Sequence, residues 1–88
     1  MTMGVIASPT GARGIRFVLI VGFACKRYPG GNLPVPEGVD ARTFAVTEAA
    51  KLAASHPSRW VLWTEGGKPI IFPADQVQRI ETEYLDHA

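Results

Sequence analysis

The sequence predicts a small α+β domain of order β-α-β-β-β, with one helix packed on a small, largely antiparallel sheet. Three observations lead there. Phe17 to Cys25 (FVLIVGFAC) is the most apolar run in the chain and is rich in strand formers. An alanine-rich stretch from Ala41 to Ser55 is opened by Asp40 and stopped by His56-Pro57. Two further apolar runs flank Gly66-Gly67, a dipeptide suited to a tight hairpin turn. The 88 residues leave room for one core, and 47% hydrophobic with 19% charged residues is globular composition, which argues against a disordered or coiled-coil chain. A single cysteine permits no internal disulfide, so the core stabilises itself or borrows surface from a partner or a second copy.

Residues 1–14 hold Pro9, Gly11 and Gly14 among small side chains and read as a flexible lead-in to one domain over 15–85, with 86–88 as a tail. A buried central strand is expected from about Ile15 to Ala24, with Cys25 as a small hydrophobe at its end. A nine-residue apolar run is too short to cross a bilayer as a helix, which takes about 20. No membrane span is expected, and the chain reads as cytoplasmic. Ala24-Cys25 after a basic start admits a processed lipoprotein signal as a lesser alternative. Gly22 and Phe23, however, stand where that signal prefers a branched aliphatic and then a small residue. Tyr28 to Gly38 (YPGGNLPVPEG) gathers three prolines and three glycines and reads as the major loop, with Gly30-Gly31 making a tight turn.

For the helix, Asp40 is a good N-cap, and Phe44, Ala45, Ala49, Leu52 and Ala53 share one face at spacings of three and four, with Arg42, Glu48 and Lys51 away from it. That narrow, alanine-lined face suits close packing on a sheet. In the hairpin a two-residue Gly66-Gly67 loop pairs Glu65 with Lys68, Trp63 with Ile70, Leu62 with Ile71 and Val61 with Phe72. Pro69 then falls at a position that needs no hydrogen bond within the hairpin. In this register Trp60, Leu62 and Ile71 point one way and Val61, Trp63, Ile70 and Phe72 the other. Both faces are apolar, so the second must be covered, either by closure of the sheet into a small barrel or by another chain. The tail, PADQVQRIETEYL, reads as a short helical turn over Pro73 to Val77 followed by a strand, with Arg79, Glu81 and Glu83 on its solvent side; the alternative is a helix capped by Asp75.

Charge is unevenly placed. Met1 to Pro36 carries four basic residues and no acidic one, whereas Glu37 to Ala88 carries five basic and eight acidic. A basic first strand beside an acidic last strand would use that complement.

Reactive groups are sparse. No nucleophile elbow, zinc-binding helix, phosphate loop or paired-cysteine motif is present. Cys25, His56 and His87 match no ligand spacing, and GGK at the hairpin tip lacks the following helix of a phosphate cradle. The chain is therefore expected to be no enzyme and to need no metal or cofactor. Nucleic-acid binding through Arg59, Trp60, Lys68 and Arg79, with a tryptophan as stacking platform, is the rival reading. Against it stand the mild pI of about 7.9 and the acidic residues Glu65, Glu81 and Glu83 on the same elements. The leading expectation is a small protein-interaction module, self-associating or binding a partner protein, whose contact face is Trp63, Val61, Ile70 and Phe72.

The SHPSRW junction between helix and strand and the FPADQVQRIE tail resemble segments of small actinobacterial and actinobacteriophage proteins. Eleven alanines, and six arginines to three lysines, fit a GC-rich genome of that kind. The resemblance implies an accessory or host-interaction protein and assigns no functional residue.

Overall fold

The computed structural model describes residues 5–6 and 10–86, and shows an α+β domain in which a helix and a hairpin lie on one face of an antiparallel sheet. The elements are β1 (Val5–Ile6), β2 (Gly14–Val21), β3 (Lys26–Pro34), α1 (Ala41–Ala54), β4 (Arg59–Trp63), β5 (Pro69–Pro73), a 3-10 turn (Ala74–Gln76) and β6 (Val77–Leu85). Four strands form one sheet in the order β1-β6-β2-β3, and β4 and β5 form a separate two-stranded sheet, so neither closes into a barrel.

β2 is central because its side chains are apolar on both faces. Ile15, Phe17 and Leu19 point toward the helix and hairpin, while Val18 and Ile20 point the other way and are still buried. On the inner face Ile15 and Phe17 pack with Ala45, and Leu19 packs with Leu62 and Phe72; Ile80 of β6 touches both groups. Small side chains let α1 approach closely, with Ala41 and Ala45 buried. Asp40 caps the helix, accepting the backbone N–H of Thr43 at 3.0 Å. Ala53 is exposed rather than on the packed face.

Two strands go beyond the expected order. Of the segment read as the major loop, Tyr28 to Pro34 belong to β3, which runs from Lys26 to Pro34 and pairs along β2 with an irregularity between Arg16 and Val18, while Val35 to Gly38 lie outside any strand. β3 tolerates Pro29 and the two glycines because it is an edge strand with a bulge, the setting in which both residue types survive in a sheet. Gly30 and Gly31 make no tight turn. A Cβ on Gly30 would lie 2.8 Å from Leu62 Cδ1 and 3.3 Å from the Phe17 carbonyl oxygen, so these glycines let the hairpin backbone settle on β3. The other addition is β1, whose Val5 and Ile6 pair with Leu85 and Tyr84, within the stretch read as a flexible lead-in. The remainder of that lead-in before Thr10, and residues 87–88 of the tail, lie outside the described residues.

The last segment is a strand after a short helical turn, as expected from its Ile, Thr and Tyr residues. It lies antiparallel beside β2, and the charge complement is used: Arg16 donates through Nε (2.8 Å) and Nη2 to Glu83 Oε1. Arg27 of β3 donates to Glu81 Oε1 at 2.7 Å, and Arg79 donates to Oε2 through Nε at 3.0 Å. Because β2 lies between β3 and β6, the Arg27–Glu81 pair must cross over it, where Val18 pairs with Glu81 and Ile20 with Arg79 and Arg27. The two aliphatic residues are only 2% and 1% exposed although they face away from the helix. Among the described residues no helix is long and apolar enough to cross a membrane.

Candidate functional site

The hairpin departs from the expected register by one residue. Trp63 pairs with Pro69, Leu62 with Ile70, Val61 with Ile71 and Trp60 with Phe72. The loop is three residues long, because Thr64 donates its N–H to the Lys68 carbonyl at 2.9 Å and Gly67 donates to the Thr64 carbonyl at 3.0 Å. Gly66 and Gly67 sit at φ 88° and 80°, the left-handed region that glycine enters without strain. Thr64 Oγ1 adds a bond to the Lys68 carbonyl at 2.7 Å.

A slip of one residue reverses the faces of β5 relative to β4. Phe72 therefore belongs to the core, 6% exposed, with its ring edge-on to Tyr28 at 5.0 Å between centroids. This corrects its placement on the contact face. Ile70 likewise turns to the inner side with Trp60, Leu62 and Phe72, at the rim of the core. The outer face consists of Val61, Trp63 and Ile71, flanked by Pro69 and Pro73, with Trp63 61% and Ile71 59% exposed. Sequence reasoning found Val61 and Trp63 and missed Ile71, whose orientation depends on the loop length.

Beside Trp63 lies a mainly apolar cleft of about 190 Å³ between α1, β3 and β4, lined by Phe17, Leu33, Leu52, Val61, Leu62 and Trp63. Gly30 and Gly31 contribute backbone to it, and Glu48 and Lys51, paired at 3.0 Å on successive turns of α1, also line it.

The residues proposed for nucleic-acid contact are not brought together. Trp60 is half-buried against Leu19, Leu62 and Phe72, on the inner side of the hairpin. Arg59 lies on the outer face at one end of the hairpin, Lys68 flanks its turn at the other, and Arg79 on β6 is tied to Glu81. The neighbouring guanidinium of Arg27, and then that of Arg79, holds the Glu81 carboxyl below the usual carboxylate range.

The residues weighed for chemistry are also scattered. Cys25 is exposed at φ 53° in the turn between β2 and β3, rather than ending a buried strand. His56 Nδ1 accepts the Ser58 N–H at 3.2 Å just beyond α1, and His87 lies outside the described residues. Among the described residues no three His, Cys, Asp or Glu side chains are grouped as a metal site would need. No protein-family model, no curated protein and no solved structure matches the chain, so the outer face of the hairpin stands as the candidate site on its geometry alone.

Proposed function

We propose that this chain is a non-enzymatic protein-association module whose contact surface is the outer face of the β4–β5 hairpin. The observation that carries the reading is the pair Trp63 and Ile71, both more than half exposed on one face with Val61 between them. Aromatic side chains are frequent anchors of protein interfaces, and Val61 and Ile71 beside Trp63 extend the apolar area that contact would take out of water. The scatter of Arg59, Trp60, Lys68 and Arg79 argues against a shared nucleic-acid surface.

Replacing Trp63 with Asp tests the reading, with light scattering, absorbance at 260 and 280 nm and thermal melting as readouts. The parent is expected to form an assembly free of nucleic acid, and the variant to remain folded and monomeric. A monomeric parent directs the same comparison to a pull-down, in which the parent retains a protein that the variant does not. A variant that unfolds, or that associates as well as the parent, overturns the reading.

A further inference from the structure

We infer that the cleft between α1, β3 and β4 binds a small arylalkylamine, its ring against the apolar walls and its ammonium on Glu48. This site goes beyond the association reading and does not depend on it. The cleft measures about 190 Å³. A dry apolar cavity of about 150 Å³ takes up benzene, so the space here suits a single aromatic ring with a short arm. Phe17, Leu33, Leu52 and Leu62 come to its walls from β2, β3, α1 and β4, so packed elements rather than one loop set its shape.

One polar group in the lining sets the chemistry of the ligand. Glu48 Oε2 is shut off from solvent and accepts no hydrogen bond. Lys51 Nζ lies 3.0 Å from it as an ion pair, without the alignment to donate. A buried acceptor left without a donor costs free energy until one reaches it. Lys51 is the movable partner of the pair, its side chain 73% exposed against 23% for Glu48. Swinging outward, it regains full hydration and gives up only an exposed ion pair, which contributes little. An incoming ammonium can then take its place and donate a charge-assisted hydrogen bond, while the ring fills the apolar cleft in the same step. An anionic ligand would instead meet the Glu48 carboxylate, and a neutral ring without a donor would leave Oε2 unsatisfied.

The test is a titration of the full chain with phenethylamine at neutral pH, followed by the NMR shifts of the backbone amides. Phenylacetate and phenethyl alcohol serve as anionic and neutral counterparts of similar size. With about nine heavy atoms, the amine is expected to bind with a dissociation constant on the order of 1 mM and to shift the amides of Gly31, Leu33 and Leu52. The alcohol should bind more weakly and phenylacetate least. Glu48→Gln keeps the shape of the side chain without its charge and should weaken the amine about tenfold, whereas Lys51→Ala removes the competing cation and should tighten it. Both substitutions leave good helix formers on α1, and thermal melting checks that the fold is kept. The comparison of the three probes on the parent chain needs neither variant. No saturable shift by about 10 mM amine, an alcohol or phenylacetate that binds as tightly, or a Glu48→Gln chain that binds like the parent overturns the inference.

Discussion

Ile71 and Phe72 are neighbours on β5 with opposite surroundings, and truncating each to alanine measures the register of the hairpin directly. Phe72 is 6% exposed and packs with Leu19 and Leu62, so Phe72→Ala removes a buried ring and leaves a cavity, a change that costs about 3–5 kcal/mol. Ile71 is 59% exposed. Full burial of an aliphatic side chain stabilises by about 1.5–3 kcal/mol, so Ile71→Ala forfeits at most about 1 kcal/mol. A chain of 88 residues has a total stability of about 4–13 kcal/mol, so the first variant sits near the edge of folding and the second does not. Urea denaturation at low protein concentration, where association contributes little, reads the difference. With a slope of about 1 kcal/mol per molar, the midpoint falls by about 3 M or more for Phe72→Ala and by less than about 1 M for Ile71→Ala. If the former is unfolded in buffer, Phe72→Leu serves in its place and still exceeds Ile71→Ala. Equal or reversed costs would show that the loop has two residues rather than three, and would return Phe72 to the outer face.

Gly30→Val is expected to destabilise by about 1–3 kcal/mol, seen as a lower urea midpoint, because the new side chain meets Leu62 and the Phe17 carbonyl where the hairpin lies on β3. Gly30→Ala should cost less, since the end of Leu62 can swing aside and alanine reduces the freedom of the unfolded chain. Asp40→Ala removes the bond to the Thr43 N–H and should cost about 1 kcal/mol, read by thermal melting. Because Glu81 is held below the usual carboxylate range when folded, its ionised form stabilises above about pH 4.3, and that contribution is lost as pH falls through the lower folded value. Urea midpoints across that acid range should therefore decline less steeply for Glu81→Gln than for the parent; identical slopes would show that the Arg27 and Arg79 contacts do not persist in solution.

Elements with one dominant local signal were legible in the sequence. The aliphatic run gave a buried strand, Asp40 and the alanines a helix, Gly66-Gly67 a hairpin, and Ile80, Thr82 and Tyr84 a closing strand. β3 was illegible because Pro29, Gly30, Gly31 and Pro34 are turn signals locally, and only their place on a sheet edge beneath Leu62 makes them compatible with a strand. The contact face was half legible for a similar reason. Trp63 and Val61 share a face through the two-residue period of a single strand, which needs no knowledge of the loop. The partner strand's contribution depends on whether the chain reverses over two residues or three, and the Thr64 Oγ1 bond to the Lys68 carbonyl that accompanies the longer loop leaves no trace in hydrophobic periodicity.

The fold covers surplus apolar surface in one place and leaves it bare in another. Val18 and Ile20 face away from the helix and are buried, and the Arg27–Glu81 pair passes over β2 beside them, with Arg79 joining Glu81 from the same strand. Long charged side chains on the flanking strands reach across there because β3 and β6 lie one strand to either side, about 5 Å away. Among the described residues the β4–β5 sheet has no third strand on which such a cover could stand, and Trp63 and Ile71 stay more than half exposed.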